Sequence, residues 1–536
     1  MTRVPTSRRH FSKLRRRIWW RDRSCGVTDV LSSSVVDSAS NGSTSIGISI
    51  PTGRWPRRAP AVSCTRRSPS RDLMKRTRLA LVSAFERVFD GIHTLRPTPG
   101  TRAGWLSPPG TGTEARAAFD IGAVDDSLRC FSGREPRTPS DAALYARALI
   151  GVGRDDEARE WIANHRNLLS RTAEGVGLLS AFAADGAAGP LWASGARPNF
   201  VGLEARLARG DDPAEIVSKL AIRPWAWFAN PELHLFAYNA LRLEDPERAL
   251  RFLNRYAIAC GMPRMSLSSV GGGVTFASVP RVRGRESVTV VVSVYNAVAT
   301  VADALSSILR QSYAPIEILV CDDASTDDSL SVVRRLLKGV PRARLFQSTK
   351  NQGPYNVRNQ LMHRATGSVI TFHDADDIAL PNRFELQLAE LRRAGADACV
   401  TRWLRARASG EVVFFPDQSA SRLSLVSLMI DASVARSIAP FRNAAFGADL
   451  EYFDALRQSR RVWYVKQPTI WSLWVEGSLT RASGSAALEN GYRSPIRRAY
   501  SSLLLEKRRD QRDIGMELDR IGVLRAPHAI REIALD

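Results

Sequence analysis

Between residues 286 and 403 short apolar runs alternate with amphipathic segments. Residues 289–294 form an unbroken, mostly β-branched run of strand length, and 316–321, 344–347, 368–373 and 398–403 predict further strands. The segments 301–310, 327–337, 355–364 and 384–394 between them read as helices; Val301, Leu305 and Ile308 share one face of the first. Strands that are apolar throughout are buried on both faces. The pattern therefore predicts an α/β fold with a mostly parallel sheet flanked by helices. Ligands of such sheets bind beyond the carboxyl ends of the strands. Those ends carry Ser293-Val294-Tyr295-Asn296, then Asp322-Asp323-Ala324-Ser325-Thr326-Asp327, then His373-Asp374-Ala375-Asp376-Asp377.

Upstream, residues 140–265 read as helical. Leu144, Tyr145, Ile150, Ala158, Trp161 and Ile162 match Leu235, Phe236, Leu241, Ala249, Phe252 and Leu253 at a constant offset of 91. Each stretch is helix, polar turn, helix, and resembles a degenerate tetratricopeptide hairpin. Such a module offers a partner-binding surface or simply braces its neighbour, with Trp225, Trp227 and Phe228 as core between hairpins or, if a pair of them is exposed, as a surface that stacks on sugar. Residues 266–285, with Gly271-Gly272-Gly273 and then Arg281, Arg283 and Arg285, predict a linker into the α/β domain at 286–500. Residues 74–139 are mixed, with a helix at 79–89 and loops. Residues 501–536 predict a helical tail whose Lys507-Arg508-Arg509 forms a solvated face, or one resting on anionic lipid.

The net charge of +22 raises nucleic acid or a membrane surface as partner. Residues 1–73, however, hold 15 Lys/Arg against 4 Asp/Glu, a net +11, in an Arg- and Ser-rich stretch without apolar period. That stretch reads as a disordered basic arm or as sequence upstream of a start at Met74, so no nucleic-acid partner is expected. No run of about 20 uncharged apolar residues occurs. The six cysteines show no CxxC spacing, and Cys321 and Cys399 fall in predicted strands, which argues for a reducing compartment and against a zinc site. The expected place is the cytoplasm, or the inner face of the membrane as a peripheral protein.

Carboxylates packed as closely as those at the strand ends repel one another unless a cation or a donor-rich ligand joins them. Oxygen ligands suit a hard divalent ion, Mn²⁺ or Mg²⁺. A single fragment could be a helix cap or a turn; their order at the ends of consecutive strands is more specific. Val291-Val292-Ser293-Val294-Tyr295-Asn296, Glu317 to Asp327, Asn351-Gln352-Gly353 with Arg358-Asn359, and Gly367 to Asp377 together resemble family 2 glycosyltransferases of the GT-A fold. Val357 stands where that family commonly has Ala. The resemblance covers about 110 residues well and the next 100 loosely.

The resemblance implies a UDP-sugar or other nucleotide-sugar donor bound by Tyr295, Asp322, Asp323, Arg358 and Asp374. It implies a metal on Asp376 and Asp374, Asp376 being the first choice, and inversion at the anomeric carbon. In Phe446-Gly447-Ala448-Asp449-Leu450-Glu451-Tyr452, Asp449 is the expected base with Glu451 in reserve; helix capping is the plainer reading of Asp449. The segment 474–480 resembles one that often holds a histidine, which this chain lacks. His373 reads as structural. The acceptor, whether glycan, lipid-linked or protein, is unspecified, with surface polysaccharide assembly as the setting. Two rivals stand beside this reading. A nucleotidyltransferase would need a glycine-rich loop that Tyr295-Asn296-Ala297-Val298-Ala299 does not provide. A helical-repeat scaffold or nucleic-acid- or membrane-surface-binding protein with a degenerate transferase domain would have no use for the strand-end carboxylates.

Overall fold

The structure is a computed structural model that describes residues 103–105, 114–133, 135–182, 190–194, 197–267, 274–415, 419–474, 494–510 and 512–535. The expectations for the extension 1–73, the helix at 79–89 and residues 475–480 lie outside the described residues.

In chain order the strands are β1 (Ala103–Trp105), β2 (Trp192–Ser194), β3 (Arg197–Pro198), β4 (Met265–Leu267), β5 (Val274–Phe276), β6 (Val282–Val294), β7 (Tyr313–Asp322), β8 (Ala343–Ser348), β9 (Val369–Asp374), β10 (Asp377–Ala379), β11 (Ala398–Arg407), β12 (Ser421–Asp431), β13 (Val462–Trp474) and β14 (Ile530–Ile533). The large sheet runs β1-β13-β11-β12-β9-β6-β7-β8-β14, with β10 beside β13. Its centre, β9-β6-β7-β8, is wholly parallel, as the continuous apolar runs require. Antiparallel strands extend it: β12 against β9 on one side and β14 against β8 on the other. Val288, Val290, Val291, Val292 and Val294 of β6 are all fully buried, each contributing roughly 2 kcal/mol of apolar burial. Helices Val301–Leu309, Ser329–Leu337 and Pro354–Arg364 make the crossovers, and Arg383–Ala394 follows β10.

Several expected boundaries shift. The linker is folded at both ends, because β4 and β5 pair as a hairpin and β6 already begins at Val282, where Val282 and Arg283 pair with Tyr313 and Ala314. The tail is not helical throughout: after helices Pro495–Asp510 and Gly515–Arg520 it adds β14 to the sheet edge. Lys507 and Arg508 are not a solvated face. They bind Glu451 and Asp454, and only Arg509 pairs on the exposed surface, with Glu114.

The two hairpins of the helical region are present, Pro139–Gly151 with Asp155–Asn164 and Glu232–Leu241 with Pro246–Cys260. They belong to separate apolar clusters and do not build one continuous solenoid core. The second hairpin shares its cluster with Leu404, Ala406, Val412 and Trp471 of the sheet side. It also grips the connection from β11 to β12. Tyr238 Oη donates to Gly410 O at 2.9 Å, Asn239 exchanges two bonds with Val412 at 2.7 and 2.9 Å, and Glu232 accepts from Ala420 N and Ser421 N at 3.1 Å each. This is the bracing arrangement. Trp227 is core as the first reading expects, but Trp225 and Phe228 are exposed, because the helix Pro224–Ala229 is a single short turn or two with one buried side.

Candidate active site

Strand register brings the polar ends together. Val294 pairs with Asp322 on one side, and Ser293 pairs with Asp374 on the other. The chain winds from β6 to β7 to β8 and then crosses back to β9, so the reversal falls beside β6, the place beyond the strand ends where sheets of this kind bind ligands. The loops after β6 and β7 are tied to each other. Asn296 Oδ1 accepts from Thr326 N at 2.8 Å, Ser325 Oγ from Asn296 N at 3.1 Å, Ser329 Oγ from Ala297 N at 2.8 Å and Asp327 Oδ2 from Val298 N at 3.1 Å. These bonds hold Asn296 (φ 46°) and Ala324 (φ 61°) in the left-handed region, a strain of about 1 kcal/mol or more each for L-residues and one that gathers at functional sites. Tyr295 stands exposed on this rim.

Asp322 and Asp323, adjacent in sequence, do different work. Both are buried. Asp323 accepts from Gln352 N and Gly353 N, the latter at 2.8 Å, and so fixes the loop after β8, where Gly353 takes φ 84°. Burial raises its pKa and those backbone donors oppose the rise. Asp322 Oδ2 accepts from Ser325 N at 3.3 Å, whereas its buried Oδ1 has no hydrogen-bond donor among the described residues.

The third cluster is a stack of carboxylates in unequal settings. Asp374 is half-buried and forms an ion pair with Arg358 at 2.6 Å. Arg358 therefore does not lie as an uncommitted charge for the nucleotide. Its guanidinium is enclosed by Tyr355, Phe372 and Phe441, 5.5 to 6.0 Å from their centroids, and holds Asp374. Asp376 is pushed up to about 6 by burial and then by the negative charge of Asp374. Asp377 is pushed well above the carboxylate range by burial, with Asp376 and Asp374 adding to it, although the Ser472 hydroxyl opposes the rise. His373 is structural, as expected. Its Nδ1 accepts from Arg383 Nη1 at 3.0 Å, so Nε2 donates to Asp377 O at 2.9 Å, and burial drives its pKa down to about 3. Arg383, to which the sequence reading gave no role of its own, is fully buried and also bonds Thr371 Oγ1 and Phe372 O, locking the strand that carries the cluster. Among the described residues no group of three or more His, Cys, Asp or Glu side chains could hold a metal by itself.

One helix joins this cluster to the second half of the domain. On Pro354–Arg364, Tyr355 and Arg358 are three residues apart and share a face. Arg358 holds Asp374, and Tyr355 Oη donates to Asp449 Oδ1 at 3.0 Å. Asp449 lies inside the first turn of helix Ala448–Ser459, whose N-cap is Gly447, so capping is not its role. Glu451 is differently placed. It is buried and accepts from Arg442 Nε and Nη2 at 2.8 to 3.0 Å, from Tyr500 Oη at 2.8 Å and from Lys507 Nζ at 2.6 Å. Burial works against its ionisation, but Arg442 and Lys507 together hold its pKa below the usual range. Glu451 is thus an anchor for the C-terminal helix, and the reserve role expected of it does not fit. Glu451→Ala would leave Lys507 without this carboxylate and Arg442 with Asp513, and is expected to lower stability by about 3 kcal/mol, read as a lower urea midpoint at unchanged slope.

Residues 289–430 match the family model described as glycosyl transferase family 2. An uncharacterized glycosyltransferase of Haemophilus influenzae is 37% identical over 101 residues, 19% of this chain and 40% of that protein. The Escherichia coli protein named UDP-Glc:alpha-D-GlcNAc-diphosphoundecaprenol beta-1,3-glucosyltransferase WfgD is 35% identical over 102 residues, 19% of this chain and 40% of its own length. The alignments thus span less than half the length of these curated relatives. Residues 1–349 of S. aureus TarS, solved with UDP-GlcNAc, give a TM-score of 0.32 at 16% identity, covering 44% of this chain and 75% of that one. The tetratricopeptide likeness finds no support in these comparisons. No described helix is long and apolar enough to cross a membrane.

Proposed function

We propose that the family 2 glycosyltransferase domain matched at residues 289–430 gives this chain its activity, the transfer of a sugar from a nucleotide-diphosphate donor to an acceptor hydroxyl with inversion. The observation that carries this reading is that Asp322 and Asp374 stand at the ends of the two strands flanking β6, while Asp449 is linked towards Asp374 through Tyr355 and Arg358 of a single helix. Tyr295 and Asp322 face the nucleoside, Asp322 through its unfilled Oδ1. Asp449, steered by Tyr355, takes the proton of the attacking hydroxyl.

The residues fit a divalent ion, Mn²⁺ or Mg²⁺. Asp376 and Asp374 repel each other, which an ion would relieve, and Asp376 lies first for the metal with Asp374 beside it. One or two carboxylates together with substrate phosphate oxygens are a usual shell for Mg²⁺. When bound, such an ion stabilises charge developing on the leaving diphosphate. The name of the E. coli relative favours UDP and a lipid-linked glycan acceptor in polysaccharide assembly, which would place the chain in the cytoplasm near the membrane's inner face.

Calorimetric titration of UDP, GDP and dTDP with and without Mn²⁺ tests the reading: one nucleotide is expected to bind, and only with metal. Absence of binding by all three would favour the scaffold reading. The same titration carries a pH signature. Protons compete with the ion at Asp376, whose pKa is raised to about 6, so affinity is expected to be flat above pH 7 and to fall up to tenfold per pH unit below 6. A profile flat down to pH 5 would contradict a metal on Asp376.

A further inference from the structure

We propose that Tyr500, on the C-terminal helix Pro495–Asp510, is a positioning residue for the base: it fixes the helix turn that carries Asp449. This rests on the transferase reading with Asp449 in that role. A base works only while its oxygen stays within reach of the attacking hydroxyl, and a displacement of about 1 Å costs about 10²-fold. The turn that carries Asp449 is weakly held by its own bonds. Its N-cap, Gly447, offers no side chain to the free amides. Leu450 N and Glu451 N reach Gly447 O at 3.2 and 3.4 Å, long for helix bonds. Tyr355 steadies one oxygen of the Asp449 carboxylate but not the backbone beneath it.

The C-terminal helix supplies what the turn lacks. Tyr500 is buried with its ring against Gly447, where an added Cβ would stand 3.0 and 3.1 Å from ring carbons Cε1 and Cδ1. Gly447 also takes φ 81°, so conformation and space both require glycine there. The other end of the same side chain donates from Oη to Glu451 Oε2 at 2.8 Å. One tyrosine thus touches the chain on both sides of Asp449. Leu504, Lys507 and Arg508 follow Tyr500 at helical spacing and share its face. Leu504 is buried, Lys507 also holds Glu451, and Arg508 holds Asp454. The helix is itself fixed by the N-terminal helices Glu114–Ile121 and Val124–Arg129. Arg498 pairs with Asp125 at 3.0 Å and donates to Gly151 O at 3.3 Å. Leu505 of the C-terminal helix and Leu450, the residue after Asp449, pack on Ala118 and Ala123. A continuous packed route therefore runs from the N-terminal helices through Pro495–Asp510 to the turn of the base.

The test measures nucleotide release from UDP-glucose and UDP-GlcNAc by the full chain with MnCl₂ (GDP-mannose if the purine is the one that binds), water standing in for the acceptor hydroxyl. Calorimetry of the nucleotide and a thermal melt run beside it. Tyr500→Phe keeps the ring on Gly447 and removes only the bond to Glu451, which retains Arg442 and Lys507. It is expected to lower kcat by about five-fold, with KM and the nucleotide Kd within about twofold. Gly447→Ala displaces the ring and strains the turn, and is expected to lower kcat by about tenfold or more. In an Asp449→Asn background no base remains to be placed, so Tyr500→Phe is expected to change kcat there by less than about twofold. A tyrosine that only stabilised the fold would lower the melting temperature in both backgrounds and leave the kcat of folded protein unchanged. Parent kcat in folded Tyr500→Phe, or equal losses in the two backgrounds, overturns the assignment. Tyr500→Phe, which loses only a hydroxyl, decides the matter should Gly447→Ala not fold. If Asp449→Asn keeps the parent's rate, or the parent releases no nucleotide, the transferase reading or its base fails first and this inference with it.

Discussion

Asp376→Asn is expected to abolish the metal-dependent part of nucleotide binding and to lower turnover by about 10³-fold or more, the scale of several kcal/mol of lost charge stabilisation at the leaving group. The substitution keeps the shape of the side chain and removes one carboxylate oxygen. It also removes the like charge beside Asp374. The folded pKa of Asp376 is raised, so its ionised form opposes folding above about pH 6, and that penalty disappears in the variant. The melting temperature above pH 7 should therefore hold or rise while activity collapses. That pairing separates a site effect from unfolding. Calorimetry with and without Mn²⁺, nucleotide release from the donor and a thermal melt together read the outcome. Metal-dependent binding that survives in Asp376→Asn would move the metal to another residue.

Asp449→Asn should leave nucleotide binding within about twofold and reduce sugar transfer by about 10²- to 10⁴-fold, the usual contribution of a positioned base. The amide retains an oxygen for Tyr355 Oη, so the local structure has no reason to change. Donor hydrolysis by water and transfer to an acceptor are measured separately. A loss of nucleotide affinity as large as the loss of transfer would show that Asp449 supports the donor site and is not the base. Tyr355→Phe provides a graded control. It frees Asp449 of the tether from Tyr355 Oη and is expected to cost transfer about tenfold, much less than loss of the carboxylate itself.

The expected roles of Asp449 and Glu451 show where sequence reading stops. Two residues apart on one helix, both are acids in a segment that resembles a family stretch. Only the fold shows that Glu451 turns into Arg442, Tyr500 and Lys507 while Asp449 meets Tyr355. Lys507 is 56 residues away, and nothing in the periodicity of the tail announces it. Arg358 is a milder case. Its place near the strand-end acids was legible, but its commitment to Asp374 depends on three rings converging from separate elements. Tyr355 could have been found, since it stands three residues before Arg358 on a predicted helix.

The sequence by itself determined the parallel centre of the sheet, its crossover helices and the three acidic strand ends. Those are local properties: an apolar β-branched run and a helical period can be read within a dozen residues. Strands β12 and β13 were not legible, because their polar and apolar positions mix in a half-covered sheet flank, and β13 carries Lys466, Gln467 and Pro468 in mid-run. Tertiary structure alone decided that the helical region shares a core with that flank and grips its loop. It alone closed the sheet edge with β14 and set Tyr500 against Gly447 and Glu451 on either side of Asp449. Each depends on pairing between segments dozens to hundreds of residues apart, where only the summed burial of the whole chain selects the partner.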